Sequence, residues 1–310
     1  MKVVIAEKIH ESGIEFLRKN KVDVELLYET KRPLEDAIKE ADGVVVRLAK
    51  VTEQLLKLGK ENSLKVVAKH GIGVDNIDIE AAKKLGVRVV YTPDVMANAV
   101  AEFTVGAILM LAKKYGEYDS EVRNGKWEVR YSAINLEIKG KTVGVVGYGR
   151  IGKRVAELSK CFGASVIVYD PYVKAQEDFV WQTELPVLLS KSDFVTLHAP
   201  LTKATSHMIG RKELGFMKKG VFIINTARGG VIDEKALCEA LREGRIGGAV
   251  LDTTEEEPVT LGNPILKFSN VVLTAHTAGL TDVSVTEESL LACQQVLQVL
   301  KGEDPPYMFA

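Results

Sequence analysis

Gly147-Tyr148-Gly149-Arg150-Ile151-Gly152 sets three glycines at the spacing G-x-G-x-x-G, directly after the apolar run Val143-Gly144-Val145-Val146. A glycine turn between a buried strand and a helix can cradle a pyrophosphate. The first glycine makes the turn, the second admits the phosphate, and the third packs helix on strand. The free N–H groups and dipole of the following helix favour negative charge. Asp170 ends the next apolar run, Val166-Ile167-Val168-Tyr169, 18 positions after Gly152. A carboxylate there can bond both ribose hydroxyls of an adenosine half and repels a 2′-phosphate, so the expected cofactor is NAD rather than NADP.

Three further groups follow apolar runs. Arg228 comes after Phe222-Ile223-Ile224-Asn225-Thr226-Ala227 and precedes Gly229-Gly230. A guanidinium can hold a carboxylate and lend a donor to a neighbouring carbonyl oxygen. Asp252 ends a second run and is followed by Glu255-Glu256-Glu257-Pro258; His276 ends a third, Val271-Val272-Leu273-Thr274-Ala275. Reducing a ketone by hydride needs a proton donor, and the reverse reaction needs a base. Histidine serves both near neutral pH, and a carboxylate beside it stabilises the imidazolium and fixes the ring.

The elements that must position these groups alternate in type. Val3-Ala6, Val22-Leu27, Val44-Val46, Leu64-Ala68 and Val87-Val90 read as strands; Glu11-Lys19, Leu34-Glu40, Thr52-Leu58 and Ile79-Leu85 read as helices between them. A long helix is expected from Asn98 to about Tyr115. Stronger strands follow at Thr142-Val146, Ser165-Tyr169, Phe194-Leu197, Val221-Ile224, Ala249-Leu251 and Val271-Leu273. Continuous apolar strands alternating with helices predict α/β architecture with doubly wound parallel sheets. The helical tail from about Asp282 to Leu300 can return to the first series. The expected domains are therefore a discontinuous flavodoxin-like substrate domain, 1–97 and 282–310, and an inserted Rossmann domain, 98–281. The segment Gly116–Gly140 fits neither core; it reads as an arm for a neighbouring subunit or an irregular connection.

Composition narrows the classes. A 310-residue chain of 46% hydrophobic and 27% charged residues with net charge −1 is globular and carries no basic block for nucleic acid. The longest apolar run, Phe103 to Ala112, is about half of a membrane span. Cys161, Cys238 and Cys293 lack metal-ligand spacing, so no metal site is expected, and a reducing, cytoplasmic setting fits them.

Several of these stretches, in order, resemble the D-isomer-specific 2-hydroxyacid dehydrogenases over essentially the whole chain. The match runs through His70-Gly71-Ile72-Gly73-Val74-Asp75-Asn76-Ile77-Asp78, Asn98-Ala99-Val100-Ala101-Glu102 and the glycine loop with Asp170. It continues through His198-Ala199-Pro200-Leu201-Thr202, Asn225 to Gly230, Asp252, Glu257-Pro258 and His276-Thr277-Ala278-Gly279. The resemblance implies that Arg228 binds and polarises a 2-oxo acid, that His276 is the acid/base and that Glu257 pairs with it. It implies that Asp252 receives the nicotinamide carboxamide and that Thr226 and Ala227 line the ring. It also implies that His198, Ala199, Pro200 and Thr205 border the adenosine and pyrophosphate, with Val100, Arg150, Ile151 and Gly279 as further cofactor contacts. The amides of Gly71, Ile72 and Gly73 would meet the substrate carboxylate. Thr253-Thr254 and Ala275 depart from the commonest family pattern, which puts loop geometry and substrate preference in question.

Among the branches, the phosphoglycerate dehydrogenase-like one is the most similar. Arg47 and Lys69 stand where that branch carries basic residues toward a substrate phosphate, and His70 adds a possible third donor. Their gathering would favour a substrate with a dianionic group, such as the phosphate of 3-phosphoglycerate. Glyoxylate or hydroxypyruvate reduction is the alternative, and an NAD-sensing corepressor-like binding protein is the alternative of another class. The family resemblance implies a homodimer.

Overall fold

A computed structural model describes residues 1–310, and the chain divides into two compact units, Met1–Met96 with Leu280–Ala310, and Ala97–Gly279. In the first unit the strands are β1 (Lys2–Ile5), β2 (Asp23–Leu26), β3 (Gly43–Val46), β4 (Val66–Lys69) and β5 (Arg88–Val90). The helices are α1 (Glu11–Lys19), α2 (Leu27–Thr30), α3 (Leu34–Ala37), α4 (Glu53–Lys60) and α5 (Ile79–Leu85). All five strands are parallel, in the order β2-β1-β3-β4-β5, the flavodoxin-like order.

Alternation along each strand explains the unbroken apolar runs. Val3, Ile5, Val45, Val66 and Ala68 pack on one side with Ile14 and Leu17 of α1, while Val4, Val44, Val46 and Val67 pack on the other with Leu56 of α4 and Ala82 of α5. The tail helix Asp282–Lys301 covers the α1 side, placing Ala292, Cys293 and Val296 in that core.

The second unit holds α6 (Ala97–Lys113), α7 (Tyr115–Arg123), β6 (Thr142–Val146), α8 (Arg150–Cys161), β7 (Ser165–Tyr169), β8 (Val180–Gln182), α9 (Leu185–Lys191) and β9 (Phe194–Leu197). It continues with α10 (Arg211–Phe216), β10 (Val221–Asn225), α11 (Glu234–Arg242), β11 (Ile246–Leu251) and β12 (Val271–Leu273); the tail helix of the first unit is α12. The seven strands are parallel in the order β12-β11-β10-β9-β6-β7-β8. This is the Rossmann order with one strand added at an edge. The order reverses at β6, the strand that delivers the glycine loop. Val143, Val145 and Val168 face α6 and α8; Val146, Leu197 and Ile223 face the side of α9 to α11.

The sequence reading placed the strand before Arg228 and the long helix to within about two residues. It missed β8, whose exposed Trp181 and polar Gln182 carry no apolar signal. It started β11 three residues late, because Gly247-Gly248 reads as a turn.

Gln295 is buried in α12, where its amide donates to Tyr91 O at 2.9 Å and accepts from Tyr307 N at 3.0 Å. Gln295→Leu removes both bonds inside the core. Urea unfolding should show a loss of about 2–4 kcal/mol, summed over the two abandoned backbone groups; an unchanged midpoint would show that these bonds contribute nothing.

Candidate active site

The glycine loop is built by close approach. Gly149 caps α8 with open space where a side chain would start, whereas a Cβ on Gly152 would lie 2.0 Å from Gly147 O. Tyr148, between them, turns inward; its ring is fully buried and its hydroxyl donates to Glu177 at 2.7 Å. The Asp170 carboxylate accepts from the amides of Tyr148 at 2.8 Å, Tyr172 at 2.8 Å and Val173 at 2.9 Å. These bonds join the phosphate turn to the end of β7. Sequence reasoning missed this brace; a tyrosine in the glycine motif was its only signal.

His198 follows β9 beside the same turn, since a Cβ on Gly147 would touch its backbone at 2.8 Å. Both ring nitrogens are buried without a partner, and burial pushes the ring down to about 3, so it is neutral. Orphaned ring nitrogens, an open Gly149 and a carboxylate at Asp170 fit a dinucleotide laid along this edge of the sheet. Ala199 packs under the turn. Pro200 is exposed, and its carbonyl takes the Thr205 hydroxyl, which also accepts Thr202 N at 2.8 Å. Val100 and Thr226 are buried, linked through the Thr104 hydroxyl at 2.8 Å to Val100 O and 3.2 Å to Thr226 Oγ1. Arg150 is exposed and Ile151 half-buried in the first turn of α8; Gly279 is buried after the His276 loop.

The loop after β10 is shaped by Asn225, which sequence reasoning also passed over. Its amide donates to Arg228 O at 2.9 Å and its oxygen accepts Ala227 N at 3.0 Å. Arg228 Nη1 donates to Ala227 O at 2.9 Å. A Cβ on Gly229 would sit 1.9 Å from the Thr254 carbonyl. Only glycine lets the arginine loop seat against the loop that carries Glu257.

His276 Nδ1 meets Glu257 Oε2 at 3.0 Å, and both side chains are about one-third exposed, at 34% and 38%. Burial raises the Glu257 carboxyl. The hydrogen bond and charge of His276, the Thr254 N–H and the Arg228 charge outweigh that and leave it below the usual carboxylate range. Glu257 is therefore an anion at neutral pH and orients the ring through Nδ1. Arg228 acts on the same carboxylate. The histidine–glutamate pair and the guanidinium lie at the carboxyl ends of β10 to β12, where the strand-end rule puts a ligand site.

His276 adopts a left-handed backbone, φ 55°, which costs a non-glycine residue about 1–2 kcal/mol. Asp252, buried at the end of β11, holds it there. His276 N donates to Asp252 O at 2.9 Å, and the carboxylate accepts the Thr274 hydroxyl at 2.6 Å, Thr277 N at 2.7 Å and Ala278 N at 3.0 Å. Asp252, expected at the nicotinamide carboxamide, gives most of its acceptor capacity to the histidine loop.

Three residues of the first unit that were expected to meet substrate make internal contacts. Lys69 turns inward, its ammonium bonded to Arg47 O and, at 2.9 Å, to Asn76 Oδ1. His70 is buried, its ring engaged by Ser289 at 2.8 Å and Glu288 at 3.1 Å. The Gly71 amide donates to Thr92 Oγ1 at 2.9 Å. Arg47 stays half-buried with Nη1 on Lys8 O at 3.1 Å. The Glu7 carboxylate occupies the amides of Arg47, Leu48 and Ala49 at 2.6 to 2.9 Å. No cluster of metal-ligand side chains occurs, and no helix is long and apolar enough to cross a membrane.

A nucleotide turn and a carboxylate-backed histidine on one parallel sheet define a nicotinamide-dependent dehydrogenase class. Comparison with known proteins agrees. Residues 105–278 match the description "D-isomer specific 2-hydroxyacid dehydrogenase, NAD binding domain". A D-3-phosphoglycerate dehydrogenase of Methanocaldococcus jannaschii is 41% identical over 98% of this chain, which spans 58% of that relative's length. A glyoxylate reductase of Thermococcus litoralis is 39% identical over 98% of this chain and 95% of its own. Among solved structures, a D-lactate dehydrogenase from Aquifex aeolicus, complexed with NAD and lactic acid, superposes with a TM-score of 0.88 at 31% identity, covering 98% of this chain and 96% of that one. The chain belongs to the D-isomer-specific 2-hydroxyacid dehydrogenase family, and its second unit is the family's NAD-binding domain.

Gly152→Ala would drive a methyl into Gly147 O. Titration of protein fluorescence should show NADH affinity at least about tenfold weaker, because the turn must open. Wild-type affinity in a folded variant would contradict the cradle.

Proposed function

We propose that the chain interconverts a small 2-oxo acid and its D-2-hydroxy acid with NAD(H), and that its substrates are unphosphorylated acids of the glyoxylate and hydroxypyruvate kind. The observation that carries the reading is the His276–Glu257 bond beneath the Arg228 charge, in the same unit as the dinucleotide turn. Bound NADH supplies the hydride. Arg228 holds the 2-oxo carboxylate and draws charge toward the carbonyl oxygen. His276 delivers a proton from Nε2 to that oxygen as the hydroxyl forms, and in oxidation it takes the proton back. Glu257 keeps the ring oriented and balances the imidazolium.

The first unit offers little positive charge for a phosphate. Of the three cations expected to greet a phosphate, Lys69 is turned inward and His70 is buried and driven neutral, leaving Arg47. Glu7 adds a fixed anion at the Arg47 loop. A monoanion suits this balance better than a phosphorylated trianion. The phosphorylated reading keeps one support, Arg47, beside the likeness to phosphoglycerate dehydrogenases. A corepressor-like role would show as NADH binding without turnover.

The segment from Tyr115 to Ile134 exposes Tyr115, Trp127, Tyr131 and Ile134, and α7 buries none of its residues. That apolar surface suits a second copy of the chain, and a homodimer is proposed. Three free cysteines suit a reducing cytoplasm.

His276→Ala should lower kcat/KM for glyoxylate by about 10²- to 10⁴-fold, the usual worth of a positioned acid/base, with NADH affinity kept. Retained turnover would remove the histidine from the mechanism. Glu257→Gln should lower it by about 10- to 100-fold, a loss of oriented charge rather than of the proton carrier.

A further inference from the structure

Glu288 lies in the middle of α12, 1% exposed, and the chemistry described above does not use it. Its neighbours form a continuous path to the Gly71 loop. Thr92, fully buried after β5, grips Gly71 from both sides: its Oγ1 accepts the Gly71 N–H at 2.9 Å and its N–H donates to Gly71 O at 3.1 Å. Gly71 itself has φ +142°, a conformation side chains rarely adopt. The Thr92 hydroxyl stands 3.0 Å from Glu288 Oε1. Glu288 Oε2 stands 3.1 Å from His70 Nδ1, and His70 Nε2 stands 2.8 Å from Ser289 Oγ.

The proton inventory orders the path. Ser289 gives its only hydroxyl proton to Val285 O at 2.8 Å and accepts His10 N–H at 3.0 Å. His70 Nε2 must therefore be the donor to Ser289, which leaves Nδ1 bare in a neutral ring. A protonated Glu288 then donates Oε2–H to Nδ1 and accepts the Thr92 hydroxyl on Oε1. Five bonds run one way: Gly71 N–H to Thr92, Thr92 to Glu288, Glu288 to His70, His70 to Ser289, Ser289 to Val285. The Thr92 hydroxyl also lies 3.2 Å from Gly71 O, a longer alternative to its bond with Glu288. Burial favours this neutral form. It pushes Glu288 up to about 7 against the Thr92 hydrogen bond and the pull of Arg47 and Lys69, and it pushes His70 down to about 3 with help from the same two cations.

We propose that Thr92, Glu288 and His70 are positioning residues that lock the Gly71 backbone, holding the Ile72 and Gly73 amides in place for the substrate carboxylate. The anion's identity rests on the proposed function; the lock itself does not. The charged and titratable groups facing Glu288 are His70 from the end of β4, Arg47 from the end of β3 and Lys69. When Glu288 loses its proton, Oε2 and Nδ1 become two acceptors facing each other, and the path breaks at its centre. Glutamine at 288 would keep the path at every pH, because its N–H replaces the acid proton and its oxygen still accepts from Thr92.

The test uses the full chain in four variants: Thr92→Val, Thr92→Ser, Glu288→Leu and Glu288→Gln. Kinetics are measured with NADH and glyoxylate, and hydrogen exchange is measured over residues 71–76. Thr92→Val and Glu288→Leu should raise the glyoxylate KM about tenfold or more with kcat within about threefold, the pattern of lost carboxylate binding. Exchange over 71–76 should quicken while exchange in β6 and α8 stays at the wild-type rate. Thr92→Ser should restore both readouts. The wild-type KM should rise by about threefold or more relative to Glu288→Gln between about pH 6 and about pH 8.5. A folded Thr92→Val protein with unchanged KM and unchanged exchange overturns the proposal, as does an equal pH profile for wild type and Glu288→Gln. If the wild type reduces no 2-oxo acid, the functional reading falls, and the exchange rates alone decide the lock.

Discussion

A histidine in a left-handed turn, tied at one nitrogen to a carboxylate, is the constraint on which the second unit depends. His276 holds that backbone because Asp252 collects the donors of the loop around it. Asp252 is available because β11 ends there, between β10 with its arginine loop and β12 with the histidine. Glu257 reaches His276 because Gly229 lets two loops seat without a side chain between them. Remove any one, and the imidazole loses its direction. Local strain of this kind persists only where several bonds over-determine it.

Charge is handled differently in the two units. The second keeps a live anion, Glu257, close to His276 and Arg228 and partly open to water. The first drives its histidine and glutamate toward neutrality by burial and uses them as links in a directional chain. Arg47 and Lys69 lie close enough to bias that chain, yet Lys69 is committed to the backbone it supports. Basic residues at strand ends are thus not automatically ligands. Their direction depends on which carbonyls the neighbouring turn leaves unpaired.

Much of the architecture was readable because parallel strands buried on both faces announce themselves as apolar runs. Such runs end where the chemistry begins. The rule singled out Arg228, Asp252 and His276 as candidates, and the glycine motif marked β6 and α8. Residues whose roles depend on distant partners were not legible. Nothing near His70 in the sequence points to Glu288, 218 positions away, and a mid-helix glutamate reads as a solvated face. Lys69 looked cationic and accessible; its path inward is set by Asn76 and the turn after β3. Tyr148 and Asn225 were hidden for another reason: both brace loops through backbone contacts that residue type alone does not announce.

The most direct test is a crystal structure of the chain with NADH and oxamate, a stable mimic of a 2-oxo acid. The oxamate carbonyl oxygen should accept hydrogen bonds from His276 Nε2 and the Arg228 guanidinium together, with Glu257 still on Nδ1. Oxamate bound with its carbonyl turned from His276, or an imidazole released from Glu257 in that complex, would contradict the account.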